Sequence, residues 1–149
     1  MESKPIVEVK NLKKHFEKSN FFGLQKIQIK AVDGVDFHIN KGETFGLVGE
    51  SGCGKTTLGR TIIRMYNVTD GDIIFEGKNI AGLKGKELRK IQEKMQIIFQ
   101  DPYSALNPSM NVAEIIEEPL TIHKSYSVKD REDRVKLLLE KVGMGASDM

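Results

Sequence analysis

Cysteine, tryptophan and proline are all scarce in this chain. Its 149 residues include one cysteine, no tryptophan and four prolines. The single Cys53 cannot form an internal disulfide, which suits a reducing compartment. No apolar run approaches the roughly 18 residues that span a bilayer, and residues 1–10 lack the apolar core of a secretory signal. These absences predict a soluble, cytoplasmic chain.

A strong excess of either charge is absent as well. Lysine and arginine number 23, and aspartate and glutamate number 21, so the net charge is +2. The basic residues are spread along the chain and form no polybasic arm. We therefore expect no nucleic-acid partner. The length suits one domain with a modest core.

Alternating apolar residues predict several short strands. They are 5–12, a second strand beginning near Ile27, 35–39, 44–48, the strand or hairpin 73–80, and 96–99. Between the first two, residues up to about 26 are predicted to form a loop that contains Phe21, Phe22 and Gly23. The alternation of Val35, Phe37 and Ile39 is typical of a half-buried antiparallel strand.

Helical periodicity alternates with these strands and dominates after residue 110. One predicted helix begins near Thr56, and three more cover 86–95, 111–118 and 127–143. Ser127 and Asp130 resemble a capping box, and Gly143 is a plausible C-cap. The first helix carries an apolar face of Leu58, Ile62, Met65 and Tyr66. Two of the four prolines lie in the intervening loop 101–110.

The octapeptide GESGCGKT, Gly49 to Thr56, matches the phosphate-binding pattern G-x-x-x-x-G-K-[ST] at every fixed position. Glycines let backbone N–H groups curl around a phosphate, and the following helix adds the positive end of its dipole. Lys55 supplies a cation for the β- and γ-phosphates, and the Thr56 hydroxyl suits Mg²⁺. The predicted nucleotide-binding residues here are Gly49, Glu50, Ser51, Gly52, Cys53, Gly54, Lys55, Thr56 and Thr57. Cys53 is interpreted as a small filler.

Two residues outside the motif restrict the class of nucleotide-binding protein. Phe16 lies upstream of the motif in LKKHF, and Gln100 lies downstream in QIIFQDP. With these residues, and with AVDGVDFHINKGETFGLVGESGCGKTTLGR and QDPYSALNP, the chain resembles the ATP-binding subunits of ABC transporters, in the oligopeptide/dipeptide permease branch. The resemblance implies an α/β fold: a P-loop NTPase (RecA-like) core with an antiparallel β subdomain, followed by the start of the ABC helical subdomain. Residues 1–100 would form the core and 101–149 would begin the helical subdomain.

The resemblance also implies residue roles. Phe16 would stack on the adenine of ATP, with His15 as the second choice. Thr56 would bind Mg²⁺, and Thr57 would contact the α-phosphate. Gln100 would reach Mg²⁺ and the attacking water, and would sense the γ-phosphate.

The implied partners lie at the cytoplasmic face of the cell membrane, where the subunit would be peripheral. They are a second ABC ATPase subunit in a homo- or heterodimer, transmembrane permease subunits contacted near Gln100 to Pro108, and, indirectly, an extracytoplasmic solute-binding protein. The implied function is to energise import of peptides. Import of nickel or another small solute, and a non-hydrolysing nucleotide-binding remnant or regulator, are the alternatives. A soluble P-loop kinase or GTPase fits less well, because no guanine-reading motif is present.

The family's LSGGQ-like signature, the strand ending in Asp-Glu and the later switch histidine are not found in these 149 residues. We therefore expect an incomplete ATPase domain that does not hydrolyse ATP by itself, because phosphoryl transfer depends on positioning and charge stabilisation. Strands missing from the parallel core sheet would also leave apolar faces uncovered.

Overall fold

The computed structural model describes residues 4–19, 26–122 and 126–145. The chain divides into two units, Met1–Gln96 and Ile97–Met149. In chain order the elements of the described residues are β1 (Pro5–Ser19), β2 (Lys26–Asn40), α1 (Lys55–Ile62), β3 (Asp70–Phe75), β4 (Lys78–Asn79), α2 (Gly85–Gln92), a 3₁₀ helix (Tyr103–Ala105), α3 (Val112–Ile122) and α4 (Val128–Lys141). Within those ranges no helix is both long and apolar enough to cross a membrane.

The first unit is built on an antiparallel sheet with the strand order β2-β1-β3-β4. The predicted antiparallel character and the predicted hairpin over 73–80 are confirmed. The predicted loop before Ile27 is wrong in part, because β1 continues to Ser19 and pairs there with the start of β2. Phe21, Phe22 and Gly23 lie outside the described residues. The side chains in this part of β1 are mostly polar, so the local apolar pattern did not predict the pairing. A strand that is paired with a neighbour can form without apolar alternation of its own.

A bulge in β1 fits a glycine of β3. Asn11 has a left-handed φ of 44°, and the register of β1 shifts between Val9 and Leu12. Gly71 has a φ of 89°, and a Cβ there would collide with the carbonyl oxygen of Asn11. Glycine is therefore required for β3 to approach the bulged strand.

The core of the first unit lies between the sheet and α1. Seven buried residues form it: Val9, Leu12, Val32, Leu58, Ile73, Phe75 and Ile80. Leu58 is the contribution of α1, which is thereby fixed on the face formed by β1 and β2. This packing determines where the N-terminus of α1 lies.

Two predicted strands are absent from the structure. Residues 44–48 and 96–99 belong to no strand, and within the described part of the chain neither is paired to the sheet. Val48 is 94% exposed and Ile98 is 91% exposed. Apolar sequence favours a strand only where a neighbouring strand accepts its backbone hydrogen bonds, and the sheet of the described residues offers no such strand to 44–48.

The second unit contains α3 and α4, each with a side-chain cap at its N-terminus. The predicted Ser127–Asp130 cap is confirmed, since the Ser127 hydroxyl oxygen accepts the Asp130 N–H at 3.3 Å. The Ser127 hydroxyl also donates to Oδ2 of Asp130 at 2.6 Å. At α3, Asn111 and Glu114 exchange a reciprocal pair of backbone to side-chain bonds, at 2.8 and 2.9 Å. The predicted C-cap Gly143 has a φ of 77°. Its N–H and that of Met144 bond back to the carbonyls of Glu140 and Leu139, a Schellman motif.

Candidate functional site

The loop that precedes α1 carries the predicted phosphate motif. Its residues 49–54 are exposed or half-buried, and residues 51–54 adopt turns or bends. Gly52 and Gly54 have φ values of 81° and 99°, a conformation that glycine adopts without steric cost. A Cβ at Gly54 would also collide with the carbonyl oxygen of Ala31 in β2. Gly54 is thus required by its conformation and by its close packing against the sheet.

The N-terminus of α1 presents backbone N–H groups beside this loop. The first helical hydrogen bond runs from the N–H of Leu58 to the carbonyl of Gly54, at 2.8 Å. The N–H groups of Lys55, Thr56 and Thr57 precede it, so the helix offers them no acceptor. Open donors at the positive end of a helix dipole favour an anion. The roles of Thr56 and Thr57 stay predictions.

The Lys55 side chain folds back over the loop. Its Nζ donates to the carbonyl oxygens of Gly49 and Glu50, each at 2.6 Å, and lies 3.6 Å from Sγ of Cys53. A phosphate oxygen is an anionic acceptor, which makes a stronger bond to an ammonium group than a neutral carbonyl does. Lys55 therefore lies where it can exchange these carbonyls for a phosphate.

The variable positions of the motif shape the turn. Glu50, Ser51 and Cys53 are exposed, and the Cys53 N–H donates to the Glu50 carbonyl at 3.3 Å. A Cβ at Gly49 would lie 2.7 Å from Sγ of Cys53. The Cys53 side chain fills the space that the absent Gly49 side chain leaves, which supports its interpretation as a filler.

Strand register brings Phe16 close to this loop. Phe16 pairs with Ile29 in β2, and Ala31, two residues further along β2, packs against Gly54. With about 3.3 Å per residue along a strand and about 4.8 Å between strands, the Phe16 backbone lies about 8 Å from Ala31. A nucleoside triphosphate is longer than this separation. One such molecule is therefore long enough to extend from the phosphate loop to the strand position of Phe16.

His15, the second choice for the base contact, is engaged elsewhere. Its Nε2 lies 2.8 Å from Oδ1 of Asp33, and its ring is largely buried. Lys30 donates to Oδ2 of the same carboxylate at 3.1 Å. These hydrogen bonds, from Lys30 first and then His15, hold the pKa of Asp33 below its usual value. The arrangement favours Phe16 as the residue that meets a base.

Gln100 belongs to the second unit, where it is exposed at the start of loop 101–110. This loop is closed by its own hydrogen bonds: the Ser104 N–H donates to Oδ1 of Asp101 at 3.3 Å, and the Ser104 hydroxyl donates to the Asp101 carbonyl at 3.1 Å. Tyr103 is largely exposed on it. A fixed loop that displays an aromatic ring suits a protein contact, and the role of Gln100 stays a prediction.

The Mg²⁺ assignment depends on few protein ligands. Across the described ranges, no three His, Cys, Asp or Glu side chains cluster as a metal site. The exposed Thr56 supplies one hydroxyl oxygen at the start of α1. One hard oxygen ligand fits Mg²⁺, which keeps several waters and shares its remaining positions with phosphate oxygens. The residues present therefore fit a metal that arrives with a polyphosphate.

Sequence reasoning missed three residues of this region. Ala31 contacts the loop through its carbonyl oxygen. The Tyr66 ring meets Phe16 edge to face, with centroids 5.5 Å apart and planes at 88°. The Lys14 Nζ lies 4.7 Å from the Phe16 centroid. Periodicity placed Tyr66 on a helix face, but α1 ends at Ile62; the i, i+2 spacing of Lys14 and Phe16 on a strand was an available signal.

Comparison with known proteins adds three kinds of finding. The family model described as ABC transporter matches residues 32–148. The oligopeptide transport ATP-binding protein OppF of Bacillus subtilis is 52% identical over 141 residues, which are 93% of this chain and 44% of the relative. The dipeptide transport ATP-binding protein DppF of Lactococcus lactis is 46% identical over 146 residues, 96% of this chain and 45% of the relative. The chain thus spans less than half the length of these relatives.

Solved structures give the same fold. The ATP-binding cassette MJ0796, in a dimeric post-hydrolysis state bound to ADP and Pi, superposes with a TM-score of 0.73. It is 26% identical, and the match covers 95% of this chain and 59% of the cassette. The predicted P-loop NTPase fold is therefore confirmed.

Proposed function

The chain belongs to the ABC transporter family, and on that basis we propose that it is the N-terminal nucleotide-binding part of an ATPase that energises the import of oligopeptides or dipeptides. The observation that carries the proposal is the phosphate loop. A glycine-built turn, three open N–H groups at the start of α1 and the Lys55 ammonium group converge on one place. The distance from the Phe16 backbone to this loop is no greater than the length of one nucleotide.

Each predicted residue receives a role in this proposal. Residues 49–55 hold the β- and γ-phosphates of ATP through backbone N–H groups and Nζ of Lys55. Thr57 contacts the α-phosphate, and Thr56 supplies one ligand to Mg²⁺. When bound, Mg²⁺ neutralises charge that develops on the phosphate oxygens. Phe16 stacks on adenine.

The proposal extends to the whole subunit and its surroundings. Residues 1–100 belong to the nucleotide-binding core, and 101–149 begin the helical subdomain. Gln100 senses the γ-phosphate and, with the loop up to Pro108, contacts transmembrane permease subunits. A second ATPase subunit pairs with this one at the cytoplasmic face of the membrane, and a solute-binding protein delivers the peptide. Peptides are favoured over other solutes because the OppF and DppF relatives, named for peptide transport, are similar over nearly all of this chain.

Nucleotide binding is tested on the chain itself. MgATP should raise the thermal midpoint of the unmodified chain, because a ligand that binds only the folded state stabilises it, by about 2.7 kcal/mol at a hundred times its Kd. Lys55→Ala should abolish this rise, since it removes the cation that meets the phosphates. Differential scanning fluorimetry across an MgATP titration measures both.

Two matched variants complete that experiment. Lys86→Ala removes a lysine that is exposed on α2 and should leave the MgATP effect unchanged. Gln100→Ala should do the same, because Gln100 is assigned to sensing rather than binding. An equal loss in Lys55→Ala and Gln100→Ala, or no loss in either, would contradict the residue roles.

Peptide transport is tested by exchange with a relative. Residues of the Bacillus subtilis OppF relative that align with this chain can be replaced by the chain, and oligopeptide uptake measured in cells that lack the native subunit. We expect uptake to be retained, and Lys55→Ala in the exchanged segment to remove it. An exchanged subunit that hydrolyses ATP at the native rate but supports no uptake would argue against the peptide assignment.

A further inference from the structure

Tyr66 connects the two ends of the proposed nucleotide site. Its ring contacts Phe16 edge to face, with the centroids 5.5 Å apart. Lys14 lies against both rings, with Nζ 4.7 Å from the Phe16 centroid and 5.9 Å from the Tyr66 centroid. A perpendicular aromatic pair with a shared cation is a favoured electrostatic arrangement. The Phe16 ring is therefore held from the side of α1.

Tyr66 is itself tied to α1. Its N–H donates to the Arg60 carbonyl at 3.2 Å, and its hydroxyl accepts a hydrogen bond from Nη1 of Arg60 at 3.1 Å. The Tyr66 carbonyl accepts from Nη1 of Arg64 at 3.2 Å. Arg64 is buried, and its other terminal nitrogen donates to the Leu83 carbonyl at 3.2 Å. The end of α1 thus fixes both the backbone and the side chain of Tyr66.

The residues after Tyr66 are hydrogen-bonded to β1 at Lys13 and at His15, the residue before Phe16. The Thr69 N–H donates to the Lys13 carbonyl at 2.9 Å, and the His15 N–H donates to the Thr69 hydroxyl at 2.9 Å. Lys13 and Asp70 form an ion pair at 2.9 Å. Segment 66–70 is therefore a short bridge from the end of α1 to the part of β1 that carries Phe16.

We propose that Tyr66 is a positioning residue for the nucleobase: it holds the Phe16 ring and, through α1, fixes that ring relative to the phosphate loop. The inference rests on the proposed function, in which Phe16 meets the base. Because α1 begins at Lys55 and ends beside this bridge, one helix sets the spacing between the phosphate contacts and the base contact. A ring held before binding loses less rotational freedom when the base stacks on it.

This role predicts selectivity between two ligands. Tripolyphosphate offers the phosphate loop the same anion as ATP but has no base. Loss of the Tyr66 ring should weaken ATP and leave tripolyphosphate unchanged. An aromatic pair contributes enough to change affinity about two- to tenfold.

Isothermal titration calorimetry of the 149-residue chain with MgATP and with magnesium tripolyphosphate measures this selectivity. Tyr66→Leu removes the aromatic ring but keeps an apolar side chain, and should weaken only MgATP, by about two- to tenfold. Tyr66→Phe keeps the ring and loses the hydroxyl, and should restore MgATP affinity to within about twofold of the unmodified chain. Phe16→Ala should show the same selective loss as Tyr66→Leu, and Lys55→Ala should weaken both ligands.

Each outcome decides the proposal. A Tyr66→Leu chain that binds MgATP as the unmodified chain does, or that loses both ligands equally, would overturn the positioning role. Equal losses would assign Tyr66 to the fold alone. If the unmodified chain binds neither ligand, or if Lys55→Ala changes neither affinity, the proposed function fails and the positioning role fails with it. Selective loss in Tyr66→Leu together with recovery in Tyr66→Phe supports it.

Discussion

Strand β3 and segment 44–48 share an apolar ending and are opposite in structure. Both are short and contain glycine, and each ends in apolar residues, 73–75 in β3 and 47–48 in the segment. In β3, Ile73 is fully buried and Phe75 is nearly so, whereas Val48 in the other segment is 94% exposed. β3 has β1 as its neighbour over most of its length, while segment 44–48 is paired to no strand of the described residues.

The difference shows what the apolar pattern decides and what it does not. An apolar segment gains free energy only where another layer removes it from water. A strand also needs a partner for its N–H and C=O groups. β3 receives both from β1 and α1. Segment 44–48 has no strand partner within the described part of its unit, and its packing there includes the stacking of the Phe45 ring on Phe37 of β2, with centroids 4.9 Å apart. Apolar residues therefore lie in a core strand in one place and in a mostly exposed segment in the other.

The largest test of this comparison truncates one apolar side chain in each region. Ile73→Ala should lower the free energy of unfolding by about 2 to 5 kcal/mol, because it leaves a cavity in a packed core. Val48→Ala, in the exposed segment, should change it by about 0.5 kcal/mol or less. Urea unfolding followed by circular dichroism measures both. Equal losses would mean that segment 44–48 is packed in solution and that the contrast is not real.

A second test uses two glycines of the same sheet region. Gly71 and Gly77 both have left-handed φ values, 89° and 80°, but only at Gly71 would a Cβ meet other atoms. Gly77→Ala should cost about 1 to 2 kcal/mol, the conformational penalty of an L-residue there. Gly71→Ala should cost about 1 to 3 kcal/mol more, because the methyl group collides with the Asn11 backbone and strains it. The same urea experiment measures both costs. Equal costs would show that the close contact at the bulge adds no penalty at Gly71.

Whether the sequence predicted a feature of the fold depends on how far apart in the chain the interacting residues lie. The Ser127–Asp130 cap, the Gly143 C-cap and the hairpin of β3 and β4 depend on residues a few positions apart, and the local pattern predicted them. The extension of β1 to Ser19 depends on its pairing with the start of β2, and the local pattern missed it. The strand predicted over 44–48 is wrong for the same reason, because a strand forms only beside a neighbouring strand that pairs with it.

The candidate site divides in the same way. The residues from Gly49 to Thr57 are consecutive, so one motif located the loop, the lysine and the helix start together. The contact of Gly54 with Ala31 depends on how α1 packs on β2, which no short pattern encodes. The approach of Tyr66 to Phe16 depends on both that packing and the bridge back to β1. Long-range contacts therefore determine the part of the site that sequence reasoning did not reach.

The smallest expected effect concerns the outer end of the β1–β3 pair, where Lys13 lies opposite Asp70. The Lys13 hydrogen bond, assisted by the Gly71 N–H, holds the pKa of Asp70 below its usual value, and Asp70 raises the pKa of Lys13. A lowered carboxyl pKa stabilises the fold above the ordinary value of about 4, and this contribution is lost as the pH falls through the lowered pKa. The raised lysine pKa acts conversely: its contribution is present below about pH 10 and is lost as the pH rises through the raised value.

Unfolding of the unmodified chain and of Asp70→Asn, compared from pH 7 to pH 3, measures this pair. The difference in stability should be small, because the pair is exposed and screened by solvent, and it should shrink toward pH 3 as Asp70 becomes protonated. Lys13→Met is the matched variant: with the lysine gone, the Asp70→Asn difference should be reduced at every pH. A difference that grows as the pH falls would contradict the sign of the Asp70 shift. A difference that stays constant with pH would show that Asp70 supports β3 through contacts that do not depend on its charge. The outer end of this strand pair would then be stabilised by packing and uncharged hydrogen bonds alone.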